Sequence, residues 1–434
     1  MSNSWGNLYP EEECRHQLQW RHERLPETRA SEETLLCVGN RRSYGDVCVN
    51  NGASIAETTS LSRFISFDEV NGVLRCEAGV TLWDAAQLVT SEGWFLPVTP
   101  GTSFVTIGGA VANDVHGKNH HVAGSFGCFV LRFELVRSNG DVLECSRSSN
   151  TGLFAATIGG LGLTGLITWV EFSLKRIYNP LLDVESIPYG SFGEFVELSN
   201  ESERTHEYCV SWIDCLATGA SRGRGVFFRA NHIEEPGDLG SVLQRGDIGI
   251  PGVVGNCFPL VNGLTLRAFN SLYRHTHSRR KSSSEPFGKY FYPLDSLQNW
   301  NRIYGRRGFY QFQCVVPFDH ASVITEILGL IGNSGQGSFL SVLKSMGHVT
   351  SPGIMSFSRP GVTLALDFPN RGDKTVKLLQ TLEMLVVQAG GAIYPAKDAV
   401  MAADSFRSFF PRFTEFQLFV DPGFSSGFWR RVSS

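Results

Sequence analysis

The sequence predicts an α+β protein organised in two domains, and three observations carry that reading. The first third sets short β segments, turns and isolated helices in irregular order instead of repeating βαβ units. From about Ile177 the pattern changes to longer β-rich stretches with aromatic residues, such as YCVSWIDCLA at 208–217 and FYQFQCVVPF at 309–318. A chain of 434 residues also exceeds what one hydrophobic core commonly organises.

Taken in order, FISFDEV and VLRCEAGV read as a hairpin closed by a two-residue turn, Asn71-Gly72, because that pair supplies the positive φ angles such turns require. TLWDAAQLVTSEG reads as a helix with Thr81 as its N-cap and Gly93 near its end. FVLRFELV and VLECS form a second hairpin around Ser138-Asn139-Gly140-Asp141, and LFAATI then leads as a helix toward an alternating strand, LITWVEFSL. Residues 235–290 are irregular. There IGIPGVVGNCFPLVNGLTLRAF is apolar but broken by Pro and Gly, which excludes a spanning helix and predicts a long surface loop packed on the domain. The alternative is a peripheral membrane contact, with apolar residues entering the bilayer surface and Arg279, Arg280 and Lys281 meeting anionic headgroups. KTVKLLQTLEMLVVQ is a helix ended by Gly390 and Gly391, and AIYPAKDAV follows as a strand running into a loop.

Composition removes several function classes. Charged residues make up 18% of the chain and the net charge is -4, so no basic field exists to recruit nucleic acid. Ten cysteines are scattered without a CxxC pair, which fits a reducing compartment. The stretch MSNSWGNLYPEEECRHQLQW has neither a basic start nor an apolar run. A cytoplasmic or peripherally membrane-associated protein without signal peptide or membrane span is therefore expected.

Residues 99–125, TPGTSFVTIGGAVANDVHGKNHHVAGS, hold the densest chemistry. Gly101, Gly108, Gly109, Gly117 and Gly124 allow main-chain N–H groups to approach a phosphate or a flat ring, and His116, Lys118, His120 and His121 stand among them. Zinc would ordinarily require an acid or cysteine at matched spacing, and none is adjacent, so no metal is expected. Gly160, Gly162 and Gly165 satisfy GxGxxG, yet a helix precedes and a strand follows, the reverse of the dinucleotide fingerprint. Arg42, Tyr44 and Asp46 fall in a glycine-punctuated loop. Lys397 beside Asp398 favours a simple salt bridge from spacing alone, with an acid–base role as the alternative. Lys344, in a β-rich segment, requires a partner or a ligand for its charge.

Nine ordered segments together give the chain a family resemblance: RSYGD at 42–46, TPGT at 99–102, GGA at 108–110, DVHGKNHHVAGSFG at 114–127, GLTG at 162–165, YPLD at 292–295, WNRIYG at 300–305, YQFQ at 310–313 and AKD at 396–398. In this set the chain resembles the decaprenylphosphoryl-β-D-ribose oxidase family of vanillyl-alcohol-oxidase-type flavoenzymes, over nearly its whole length. The resemblance implies a two-lobed FAD-binding domain of the PCMH type from residues 1–176 and 392–434, with a β-sheet-plus-helices substrate domain, 177–391, inserted between. It implies oxidation of the ribose 2-hydroxyl of a polyprenylphosphoryl ribose to the 2-keto sugar, completed to arabinose for cell-envelope synthesis by a separate NAD(P)H-dependent short-chain reductase. An alditol or aldonolactone oxidase acting on a soluble sugar is the alternative, and a non-enzymatic binding member a third reading.

By the same resemblance, Gly39, Arg41, Arg42, Ser43, Tyr44, Gly45, Gly101, Thr106, Ile107, Gly108, Gly109, Asn113, Asp114, Val115, His116, Ile167 and Tyr394 hold the FAD. Related flavin oxidases attach the flavin to a histidine where this chain has Arg42, so the FAD is expected to be noncovalent. Lys397, His116 and Tyr44 are the implied catalytic residues, and Lys397 and His116 remain alternatives as base. Lys118, Gln311, Gln313, Lys344 and Tyr292 are implied to hold the substrate. Arg41 replaces a usual glycine, predicting altered backbone geometry; Ala365 stands where mycobacterial members carry cysteine; Tyr292 replaces a usual histidine and Met346 an aromatic residue. These changes leave polyprenyl length and sugar identity open.

Overall fold

The computed structural model describes residues 4–9, 12–26, 33–239, 248–249 and 261–433. Near the N-terminus, strand Ser54–Glu57 pairs in parallel with Cys14–Gln17 on one side and Leu35–Val38 on the other. A five-stranded antiparallel sheet follows, ordered Phe64–Asp68, Val73–Glu77, Leu166–Ser173, Val130–Val136, Val142–Ser146. Helix Leu82–Thr90 lies on it. Thr81 accepts from the Asp84 N–H while Asp84 returns a bond to the Thr81 N–H, a reciprocal cap for two otherwise unpaired donors. Its Leu82, Ala85, Ala86 and Val89 are buried in one core with Phe133, Val170 and Phe172. Each such large side chain contributes roughly 1.5–3 kcal/mol by leaving water.

The first hairpin corrects the expected two-residue turn. Asp68 pairs with Val73, so four residues, 69–72, make the connection. The Asp68 carboxylate accepts from the Val70 and Asn71 N–H groups and from Asn71 Nδ2, and only Gly72 takes the positive φ, at +65°. An aspartate able to bond to its own turn has outcompeted the Asn-Gly geometry. The hairpin through 137–141 and the order of helix Thr151–Thr157 before strand Leu166–Ser173 follow the sequence reading.

An eight-stranded antiparallel sheet dominates the rest, ordered Lys281–Pro286, Leu181–Tyr189, Gly225–His232, Tyr208–Ile213, Ser341–Met346, Gly361–Pro369, Phe309–Val316, Ala392–Ile393. Its strands alternate with period two. Phe312, Cys314, Leu343, Leu364 and Leu366 share a buried core with helices Val323–Ser334 and Asp373–Gln388. Gln311, Gln313, Val342, Lys344, Thr363, Ala365 and Asp367 occupy the alternate positions and line a cavity.

Residues 235–290 also correct the loop expectation where they are described. Helix Gly263–Thr276 opens on a capping box at Asn262, and Lys281–Pro286 is the edge strand paired with 181–186. Apolar positions Leu266, Phe269 and Tyr273 recur at helical spacing, a signal that the preceding Pro and Gly residues obscured. Most of 240–260 lies outside the described residues. Of the basic cluster, Arg280 pairs with Glu185 and Lys281 donates to the Thr276 carbonyl. No helix among the described residues is long and apolar enough to cross a membrane.

The C-terminal segment stitches the first loop in place. Arg431 donates to Asp46 at 2.7 Å and to Asp398 at 3.0 Å, while the Tyr44 N–H donates to the Ala396 carbonyl at 3.0 Å. The Leu35 N–H donates to the Gly423 carbonyl and the Leu35 carbonyl accepts from the Ser425 N–H across the same seam.

Candidate active site

Between the polar face of the large sheet and the glycine-rich loops lies a cavity of about 1810 Å³. Pockets for single small molecules are typically ~300–1,000 Å³, so this one has room for a large cofactor together with a substrate.

One wall is main chain. Residues 39–43 and 99–105 line it in neither helix nor strand, leaving their N–H groups outside any ladder. At Gly101 an added Cβ would meet nothing within 4 Å, so the backbone opens directly on the cavity. Asn113 Oδ1 is buried without a hydrogen-bond partner among the described residues, an acceptor awaiting a ligand donor. Tyr394 bonds through its hydroxyl to the Asn113 carbonyl at 2.8 Å and stacks on Phe357 at 4.7 Å. Arg42 places its guanidinium 4.2 Å from the Trp5 ring and 5.0 Å from that of Phe104.

Arg41 has a φ of +49°, the left-handed conformation that glycine favours. Ion pairs to Glu13 at 3.2 Å and Glu57 at 3.5 Å hold the side chain there.

The opposite wall carries protons. His116 meets Gln313 Nε2 through its Nε2 at 2.9 Å and Lys344 Nζ through its Nδ1 at 2.8 Å; Lys344 also donates to the Gly117 carbonyl at 2.5 Å. Burial, then the charge of Lys344, holds His116 well below its usual range, so the ring is neutral. A neutral imidazole accepts at one nitrogen only, so either Lys344 donates to Nδ1 or a deprotonated Lys344 receives from it. Burial brings Lys344 down to about 7, which puts both states within reach near neutrality. The same cause lowers Lys118 to about 7 and Lys397 to about 8.

Lys397 does not pair with Asp398, contrary to the spacing argument. Asp398 accepts from Arg431 and from the Val400 and Met401 N–H groups. Lys397 instead sits 4.0 Å from the centroid of the Tyr44 ring. Lys118 donates to the Tyr290 carbonyl and lies over the Tyr290 ring. Tyr292 shares a hydrogen with Thr99 at 2.7 Å, and Gln311 donates to Asp367 at 2.7 Å.

Thus the cavity brings together Gly39, Arg41, Arg42, Ser43, Tyr44, Gly101, Thr106, Gly108, Gly109, Asn113, Val115, His116, Lys118, Ile167, Tyr292, Gln311, Gln313, Lys344, Tyr394 and Lys397. Three predicted residues stand outside its lining. Gly45 packs against the Asp398 carbonyl, Ile107 is wholly buried behind the loop, and Asp114 turns away to accept from the Gly127 N–H and from Ser351 and Ser356. His120 and His121 likewise diverge from His116, His121 bonding to the His206 carbonyl. Asp367 and Thr363 were missed; their signal was parity with Ala365 in an otherwise apolar strand. The aromatic residues Trp212, Phe228, Phe269 and Tyr273 were missed as well, since they converge only through the fold.

Comparison with known proteins places this geometry. An FAD binding domain profile matches residues 24–146. The chain is 32% identical to decaprenylphosphoryl-β-D-ribose oxidase of Mycolicibacterium smegmatis over 421 residues, covering 93% of this chain and 91% of that protein. The chain belongs to the decaprenylphosphoryl-β-D-ribose oxidase family. It is an FAD-dependent oxidoreductase of α+β fold. A Streptomyces coelicolor protein of unassigned role, described as lying in the mprA 5' region, is 32% identical over 81% of this chain and its own full length. Human Delta(24)-sterol reductase is 23% identical over 62% of the chain. For a member of the oxidase family the open main chain, the unpartnered Asn113 oxygen and the cavity volume fit FAD: N–H groups can meet the pyrophosphate and Asn113 Oδ1 a ring N–H.

Proposed function

We propose that this oxidoreductase oxidises the ribose 2-hydroxyl of a polyprenylphosphoryl-β-D-ribose to the 2-keto sugar. A separate NAD(P)H-dependent short-chain reductase would complete inversion to the arabinose form. The observation that carries the reading is one continuous cavity with half-buried Lys118, His116 and Lys397 and buried Lys344 at its polar face and Trp212, Phe228, Phe269 and Tyr273 beyond them. Such a space suits an anionic sugar carrying an apolar tail. Residues 1–176 with 392–434 serve as the cofactor half and 177–391 as the substrate half.

Bound FAD supplies a two-electron acceptor for hydride. The protein's own groups handle the proton and the alignment. Lys397 or His116 takes the hydroxyl proton; each is neutral, or close to losing its charge, near pH 7–8 because of burial. Tyr44 fixes Lys397 through its ring face. Lys118 and Lys344 hold sugar or phosphate oxygens. Gln313 orients His116, and Gln311 Oε1, buried without a partner among the described residues, accepts from a sugar hydroxyl. Arg42 makes the FAD noncovalent. Membrane contact is peripheral, through the segment around Arg279.

Anaerobic mixing with polyprenylphosphoryl ribose tests the reading. The oxidised flavin band should bleach, and Lys397→Ala should keep the bound-flavin spectrum while slowing bleaching by about 10²–10⁴. Bleaching by free polyols but not by the lipid-linked sugar would replace this substrate with that of an alditol or aldonolactone oxidase. Unchanged turnover in Lys397→Ala would remove that lysine from the reaction.

A further inference from the structure

The proposed reaction gives no task to a buried carboxylate in the same wall. Asp367 is 1% exposed and stands on the cavity face of its strand, cross-strand from Gln311. Gln311 Nε2 donates to one of its oxygens at 2.7 Å and the Tyr304 hydroxyl to the other at 3.3 Å. Among the described residues it makes no direct ion pair. A carboxylate removed from water requires a counter-charge as well as hydrogen bonds. The Tyr304 ring whose hydroxyl reaches Asp367 stacks on Phe309, Phe309 meets the Tyr44 ring edge-on, and Lys397 is the cation poised over that Tyr44 ring in the same cavity lining.

We propose that Asp367 is a positioning residue for the oxidation: the counter-charge that stabilises Lys397 as an ammonium, including the ammonium formed when Lys397 takes up a proton. The inference rests on Lys397 as the cation of the reacting chamber and is independent of which sugar is oxidised. Lys397 and Asp367 line the same cavity, set back among protein groups where a charge acts over a longer distance than at an exposed surface. Burial alone lowers the lysine, and Asp367 opposes that by raising it. Burial raises Asp367 to about 7, with Gln311, Lys397 and Tyr304 opposing.

The other groups facing this pair are Tyr44 and Arg42 from the first loop, Asp295 from the 292–295 segment, Tyr304, and His116 with Lys344 across the sheet. Arg42 and Asp295 carry opposite signs and act on Tyr44 in opposite directions. They provide no substitute for Asp367 beside the lysine.

The test is an NMR titration of the FAD-loaded protein carrying isotope-labelled lysine ε carbons, with the Lys397 signal assigned by its absence in Lys397→Met. In Asp367→Asn the Lys397 midpoint should fall by about one pH unit, a tenfold loss of proton affinity, while the Lys344 midpoint stays. A Lys397 midpoint that does not move in folded Asp367→Asn overturns the proposal. If that variant does not fold, Gln311→Leu decides: it keeps the carboxyl but removes its amide donor, so the Lys397 midpoint should fall by a smaller amount. No change, or a rise, overturns the proposal there. Absence of bleaching by the lipid-linked sugar, with the midpoint still tracking Asp367, would fault the sugar assignment and leave this one standing.

Discussion

Ala365 illustrates how one side chain sets reactivity in this cavity. It lies between Gln313 and Val342 in register, on the face that lines the chamber. Thiol-directed electrophiles admitted to the cavity should leave no adduct on the peptide containing residue 365, whereas Ala365→Cys should acquire one. Peptide mass spectrometry reads both, and equal labelling of the two proteins would contradict the placement. The neighbouring Cys314 is no substitute. Burial pushes its thiol up to about 12, so little thiolate is present at neutral pH. At this scale the candidate residues were legible from their motifs, but their partners were not. The Lys397–Asp398 neighbourhood suggested a pair, while the chain sends Asp398 to Arg431 and turns Lys397 onto Tyr44.

Loops and short strands carry the site, and glycine matters where two of them touch. At Gly45 an added Cβ would stand 1.6 Å from the Asp398 carbonyl, where the first loop meets the returning C-terminal segment. Gly45→Ala should therefore cost roughly 1–3 kcal/mol, the usual penalty of overpacking, and reduce retained FAD. Thermal unfolding and flavin content check it; a wild-type melting point with full flavin would show that this contact yields freely. Elements with a strong local signal were legible: the Thr81-capped helix, the hairpin through Asn139-Gly140, and the helix before Gly390. Those whose outcome depended on competition were not. Asp68 took over its turn, and helix Gly263–Thr276 hid behind preceding Pro and Gly residues.

The whole molecule buries charge, and that ties its stability to pH. Lys118, Lys344 and Lys397 are lowered by burial to about 7, 7 and 8, whereas unfolded lysines titrate near ~10.4. Between these limits the unfolded chain binds more protons, so their contribution to stability is present above the unfolded value and is lost as pH falls through 8 to 7. Asp367 runs the other way, raised to about 7, so its contribution is lost as pH rises through 7. The FAD-free protein should accordingly gain stability from pH 7 to 9.5, and a variant with all three lysines changed to methionine should gain less. Urea midpoints at the two pH values decide it; equal gains would mean that the lysines are not desolvated.

The sequence by itself determined the α+β class, the FAD requirement and the residue types of the site, because glycine spacing, hydrophobic period and the ordered motifs are local properties of the chain. Only the tertiary structure decided which groups touch. Gln313, Lys344, Ala365 and Asp367 share a face through antiparallel register, and His116, Tyr44 and Lys397 reach it from three loops well separated along the chain. Register and loop closure are long-range outcomes of packing, and with them come the burial and counter-charges that set each proton's hold.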